Sequence, residues 1–243
     1  MMRKRIKIGF SDIGGIYIGK EIQTDEHLHH AITVAVALSG KFDYWHKKEQ
    51  VSCSGIIMQA NTIRKIINQD KTQIAFIHIE PFSKQGLKLT NRNEPFEVLT
   101  PVQIKNIINI LGKWSLEDVN DEQMTANIIE VITSEIGYTS EIEIDKRIVK
   151  SIDIIRRSEE ITLKQISEQI HLSTYRFSHL FKQQTGLSFR EFVLYTKLVK
   201  SLKAVYQNQN FTHSSYLGGF ADQAHFTRTY YRAFGILPSQ SVR

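Results

Sequence analysis

Two groups of residues have the types and spacing to do chemistry. His27, His29 and His30 stand together in the N-terminal half. Alternate histidines on a strand point to one side, as transition-metal ligands would. A catalytic site of that kind also needs a carboxylate a few residues later, and Ala31 to Ser39 contain none. Where a later histidine would complete it, Asn61 to Lys65 offer Arg64 instead. The histidines are therefore expected in turns or on the surface, with no metal, no cofactor and no catalytic residue. No Gly-x-Ser-x-Gly, Walker-type loop or dinucleotide fingerprint occurs, and the chain is not expected to be an enzyme. The second group lies near the C-terminus. Thr174, Tyr175, Ser178, His179 and Lys182 share one face of a helix-length segment, and Gln223, Ala224, Thr227 and Arg228 share one face of another. Gln and Arg can make paired contacts to adenine and guanine edges, Ser, Thr and His single ones, so the chemistry these faces suit is the reading of double-stranded DNA.

The charge distribution agrees. The 243 residues carry a net charge of +6. Residues 1–140 hold 16 basic and 16 acidic side chains, and residues 141–243 hold 15 and 9, so all the excess is C-terminal. After Glu160 only Glu168, Glu191 and Asp222 are acidic, against ten Lys and Arg. That is the footprint of a surface that meets phosphates. With 41% hydrophobic and 23% charged residues the chain has the composition of a folded globular protein. Its single cysteine, Cys53, cannot close an intramolecular disulfide and is expected as a small buried residue. No apolar run approaches the roughly 20 residues of a membrane span, and the basic start at Met1 to Phe10 lacks the apolar stretch of a secretory signal. A cytoplasmic location is expected.

The first hundred residues read as strands at Ile6–Phe10, Gly15–Ile18, Ile32–Leu38, Phe42–Trp45, Ser54–Gln59, Ile74–Ile79 and Phe96–Leu99, separated by turns such as Ser39-Gly40 and Asn68-Gln69-Asp70. Short strands without intervening helices predict a β-sandwich or small barrel. After Pro101 the period changes. Ile104, Ile107, Ile108 and Leu111 form one helical stripe, and Met124, Ile128, Val131, Ile132 and Ile136 another, ended by Gly137. The fold class is thus α+β: residues 1–140 form a sensor or dimerisation domain, with β structure over about 1–100 and a helical hairpin over about 101–137. Residues 141–243 form an all-α domain, with the boundary between Gly137 and Glu141. Its helices are expected at about 145–157, 163–170, 174–184, 188–207, 211–217 and 223–233, with Thr162, Ser173 and Asp222 as N-caps.

An internal repeat organises this second part. At an offset of 49 residues, Phe177-Ser178-His179-Leu180-Phe181 aligns with Phe226-Thr227-Arg228-Thr229-Tyr230, and Gly186-Leu187 with Gly235-Ile236. Each copy has a short helix, a tight turn and a capped helix, the lengths of a helix-turn-helix. Phe177, Phe181, Phe226 and Phe234 fall on the packing faces. The helix of about 20 residues from Ser188 to Gln207 would span roughly 30 Å, close to the roughly 34 Å between successive major-groove faces. Lys197 and Lys200 on it are placed for phosphates.

From about 145 to 238 the chain resembles the AraC/XylS family of bacterial transcription regulators. The likeness rests on Leu163-x-x-Ile166-Ser167, Leu172-Ser173, Phe177-x-x-Leu180-Phe181-Lys182 and Thr185-Gly186-Leu187-Ser188-Phe189, followed by Gly219-Phe220-x-Asp222, Phe226-x-Arg228, Phe234-Gly235 and Pro238. The resemblance implies two helix-turn-helix units joined by a long helix, a contact with RNA polymerase, and base contacts from Tyr175, Ser178 and His179 in one unit and Gln223, Ala224, Thr227 and Arg228 in the other. Ser214-Ser215 stand where the family has an Ile-Ala pair, Gly218 replaces an apolar residue, Ser241-Val242 replace the closing Tyr-Arg, and His171 replaces a turn glycine. These departures predict weaker docking of the second unit. The N-terminal half is similar to the cupin-like domain of many members through His29-His30, Leu38-Ser39-Gly40 and Gln59-Ala60-Asn61-Thr62. By that likeness the helix over about 120–136 dimerises the chain; as a plain amphipathic helix it belongs to the core. Three readings stand: a sequence-specific regulator, with or without a small-molecule effector in the N-terminal domain; a cupin-type metalloenzyme with an attached DNA-binding module; and a nonspecific architectural DNA-binding protein.

Overall fold

The computed structural model describes residues 6–20, 22–68, 72–90, 93–117, 121–137, 143–207 and 210–241. Residues 138–141 of the expected boundary, Gln69 and Asp70 of the expected turn, and Val242 lie outside them. The chain divides into two compact units, residues 1–142 together with 230–243, and residues 143–229.

The first unit is built on two antiparallel sheets. One has six strands in the order β1 (Lys7–Ser11), β2 (Gly14–Lys20), β9 (Gln73–Ile79), β4 (Ile32–Ala37), β7 (Gly55–Met58) and β10 (Phe96–Val98). The other has β3 (His27–His29), β8 (Thr62–Ile67), β5 (Phe42–His46) and β6 (Glu49–Cys53). Helices α1 (Lys84–Leu89), α2 (Pro101–Leu116) and α3 (Glu122–Ile136) complete residues 1–142. Side chains alternate along a strand, and here both faces of the larger sheet are covered. Ile16, Ile18, Ile32, Val34, Val36, Ala75 and Ile77 pack against Ile107, Leu111 and Trp114 of α2 and Ile129 and Ile132 of α3. The alternate residues Tyr17, Thr33, Phe76 and His78 lie on the opposite face, where His78 bonds to Thr33 and meets His29 of the smaller sheet. Helix α2 starts where Thr100 and Gln103 form a reciprocal cap with Pro101 at the first helical position.

Strands β3, β6 and β8 and helix α1 were not expected. The strands are short or carry His, Arg, Lys and Glu among their apolar residues, so their period is legible only once pairing is known. Helix α3 lies in the core through Thr125, Ile129, Ile132 and Thr133, while Val131 on its far side is half exposed.

The second unit holds α4 (Lys146–Arg157), α5 (Leu163–Gln169), α6 (Thr174–Thr185), α7 (Phe189–Tyr206), α8 (Phe211–Leu217) and the start of α9 (Gln223–Phe234); α10 (Pro238–Ser241) follows in the first unit. Thr162, Ser173, Ser188 and Asn210 each accept a backbone N–H of the helix they open, and Asp222 accepts from the amide of His225. The core is aromatic. The Phe177 and Phe181 rings lie 5.2 Å apart, and Phe181 and Phe192 5.4 Å apart edge to face. Phe220 and Phe226 repeat this at 5.7 Å.

Helix α8 carries the residues expected to weaken docking of the second unit. Ser214 and Ser215 are fully buried, and a Cβ on Gly218 would stand 1.8 Å from Ser201 Oγ and 2.7 Å from the Lys197 carbonyl. Small residues let α8 approach α7 closely, and the hydroxyls of Ser201 and Ser214 are buried there without a hydrogen-bond partner. His171 adopts the left-handed conformation, with φ of 57°, so the turn keeps a glycine-like shape without glycine.

Candidate nucleic-acid interface and a buried arginine cluster

Helix α6 sorts its residues cleanly. Phe177, Phe181 and Thr185 are buried, and Thr174, Tyr175, Arg176, His179 and Lys182 are exposed, Tyr175 at 79%. None of the described residues covers the tyrosine's ring. Ser178 is half-buried and donates its hydroxyl proton to the Thr174 carbonyl at 2.8 Å, so toward a base it can only accept. Arg176, which the sequence reading passed over, sits on the exposed side of the first turn; its basic charge at a capped helix start was the available signal.

On α9, Gln223, Ala224 and Arg228 are exposed and Thr227 is half-buried. The amide oxygen of Gln223 accepts the Thr212 hydroxyl at 2.6 Å. A paired contact to adenine needs both the oxygen and the NH2 group, so Gln223 can make one only by giving up Thr212. Lys197 and Lys200 also differ from expectation. Lys197 Nζ donates to the Gly219 carbonyl at 2.8 Å and Lys200 Nζ to the Ser158 carbonyl at 3.0 Å. Both brace the turns around α7, and only their remaining N–H groups are left for phosphates.

The histidines expected in turns or at the surface are inside. His27 and His29 alternate inward on β3, at 9% and 3% exposure, and His30 is half-buried against Asn61 Oδ1 at 2.9 Å. His29 Nε2 meets His78 Nδ1 at 3.1 Å across the two sheets, and its Nδ1 meets the Ala233 carbonyl at 2.7 Å. His27 Nδ1 meets the Asp25 carbonyl at 2.9 Å. Beside them is Arg64, opposite His27 in the β3–β8 register and 2% exposed. Its Nη2 donates to the Gln59 carbonyl at 2.7 Å and the Thr62 hydroxyl at 3.0 Å. Its Nε has no partner, and no carboxylate among the described residues pairs with it.

Burial pushes His27 down to about 4 and His78 to about 3, and holds His29 well below the ordinary histidine value, with the Arg64 charge adding to the effect at each. Burial also lowers Arg64 to about 10, which leaves it ionised near neutral pH. The cluster therefore holds one positive charge among three neutral imidazoles. A metal cation would meet that charge, and His29 has both ring nitrogens engaged already; among the described residues no group of three His, Cys, Asp or Glu is placed to hold a metal. No helix of the described residues is long and apolar enough to cross a membrane.

Residues 166–243 match the protein family described as Helix-turn-helix domain. Among solved structures, ToxT from Vibrio cholerae O395 superposes with a TM-score of 0.64 at 13% identity, covering 99% of this chain and 98% of that one. Wild-type ToxT with an unsaturated fatty acid bound, from Vibrio cholerae strain SCE256, gives 0.60 at 11% identity over 100% and 97%. ToxT bound to (E)-4-(8-methylnaphthalen-1-yl)but-3-enoic acid gives 0.63 at 11% over 98% of each. At these identities the likeness is one of fold. No curated protein matches the chain by sequence.

Proposed function

From a C-terminal domain of the AraC-type helix-turn-helix kind on a chain with the ToxT fold, we infer that the protein is a sequence-specific DNA-binding transcription regulator whose N-terminal domain answers to a small molecule. The observation that carries the DNA reading is α6: a helix capped by Ser173, anchored by three buried side chains, that presents Tyr175, Arg176, His179 and Lys182 to solvent on a chain segment with excess positive charge. Thr174, Tyr175, His179 and Lys182 read or position one half-site. Ser178, on the same helix, joins the first as an acceptor, and Ala224, Thr227, Arg228 and the NH2 group of Gln223 read the other. Lys197 and Lys200 join phosphates with the protons their carbonyl bonds leave over.

Support for the effector comes from the ToxT structures that hold carboxylic acids and from the charged interior of the β unit. RNA polymerase contact and a homodimer formed along the exposed side of α3 belong to the same reading, as do a domain boundary near residue 140, a cytoplasmic location and the lack of a catalytic step. The test is selection of bound sites from a random DNA pool by the purified chain. Two motifs about one helical turn apart are expected. His179→Ala and Arg228→Ala should each relax base preference at one position, by about 1 to 3 kcal/mol, with binding to random DNA unchanged. Failure to prefer any sequence at moderate ionic strength refutes the proposal.

A further inference from the structure

We propose that Asp25 and His29 are positioning residues for the second reading helix, so that recognition of the second half-site depends on the β unit while that of the first does not. The proposal rests on the DNA reading above. Helix α9 crosses from one compact unit into the other: Gln223 to Thr229, which include its candidate base-reading residues, fall in the second unit, and its last turn, from Tyr230, falls in the first. A helix end leaves carbonyls without an internal partner. At the end of α9 the residues at β3 take them up. His29 Nδ1 donates to the Ala233 carbonyl at 2.7 Å, and the Asp25 amide to the Gly235 carbonyl at 2.8 Å. The Tyr231 hydroxyl donates to Asp25 Oδ2 at 2.6 Å. The Phe234 ring lies 5.0 Å from that of His29 and 5.9 Å from that of His78. Gly235, with φ of 67°, permits this approach: a Cβ there would collide with the Asp25 carbonyl and stand 2.6 Å from His27 Nδ1.

The first copy of the repeat closes on itself. At the end of α6, Thr185 donates its hydroxyl proton to the Phe181 carbonyl at 2.7 Å and accepts the Leu187 amide at 3.1 Å. Next to it, Gln184 Oε1 accepts the Asp145 amide at 2.8 Å. All of these residues belong to the second unit. At the offset of 49 residues, Phe234 stands for Thr185 and Ala233 for Gln184. Neither side chain can bond the turn it stands in, and the β unit supplies the partners instead. Arg228 precedes Ala233 by five residues, roughly 7.5 Å along a stiff helix, so what fixes the last turn also aims the side chains that meet the bases.

The experiment titrates the full chain onto a duplex carrying both selected motifs, read by hydroxyl-radical footprinting at fixed ionic strength, with folding checked by circular dichroism. Tyr231→Phe and Asp25→Ala should each weaken binding to the second motif about three- to tenfold and leave the first unchanged. The double variant should lose no more than either alone, as one shared bond requires. Asp25→Asn, which keeps an acceptor for the hydroxyl, should retain most of the second-motif binding. His29→Leu should show the same selective loss, and His29→Asn, which keeps an N–H donor, less of it. A loss shared equally by both motifs, or a second motif unchanged or strengthened, overturns the proposal. Additive losses from Tyr231→Phe and Asp25→Ala overturn it too, since Tyr231 would then be meeting DNA by itself. Should the His29 variants fail to fold, the exposed pair Asp25 and Tyr231 decides. A wild-type chain that selects a single motif sinks this proposal alone, and one that prefers no sequence sinks the regulator reading and this proposal with it.

Discussion

Acidification should unfold the β unit well before its carboxylates titrate. His27, His29 and His78 are held neutral in the folded chain by burial and by the neighbouring Arg64 charge, with His27 near 4 and His78 near 3. In the unfolded chain each titrates near the ordinary histidine value of about 6.5. A group whose folded pKa is lowered in this way binds more protons when unfolded throughout the interval between the two values, so stability rises with pH there and is lost on acidification. The loss begins as the pH falls through about 6.5 and continues toward 4 and below. Going from pH 7 to pH 5, one such histidine costs about 2 kcal/mol. Three together cost roughly 5 kcal/mol, comparable to the whole stability of many domains. Urea unfolding followed by tryptophan fluorescence reports on this unit alone, because Trp45 and Trp114 are the chain's two tryptophans and both lie within it. The denaturation midpoint should fall steeply from pH 7 to pH 5, and the slope of free energy against pH should approach three protons. His78→Gln, if folded by circular dichroism, should lower that slope by about one. Equal stability at pH 5 and pH 7 would refute the assignment of three neutral buried imidazoles.

Two further outcomes follow from the second unit. Gly218→Ala should cost about 1 to 3 kcal/mol, because the added methyl collides with Ser201 and with the backbone of Lys197; thermal unfolding checks the cost, and footprinting should show the second half-site weakened before the first. His171→Gly should raise stability by about 1 kcal/mol by relieving a left-handed residue in an exposed turn, and a melting temperature that falls instead would show that the His171 side chain contributes more than its backbone strain costs.

The helical half was readable because its signals are local. A cap such as Thr162 or Ser173 satisfies an amide three residues away, and the stripe of Phe177 and Phe181 spans one turn, so a short window of sequence contains cause and effect. The outward side of α6 followed from that stripe. Side-chain bonds on these surfaces did not: the link from Thr212 to Gln223 joins two helices, and those from Lys197 to Gly219 and from Lys200 to Ser158 join segments 22 and 42 residues apart.

Composition, charge asymmetry, helix limits and the duplicated helix-turn-helix were determined by the chain's order alone, since each depends on residues within a few turns of one another or on simple counting. What the tertiary structure decided was the interior of the β unit. His29, Arg64 and His78 are far apart in sequence, and only the register of β3 on β8 and the stacking of one sheet on the other bring a lone guanidinium among neutral imidazoles. An arginine in a run of isoleucines looks like a surface residue until the strand's pairing turns it inward. Pairing is a long-range choice, and it is there that burial converts an ordinary charge into one that needs a partner.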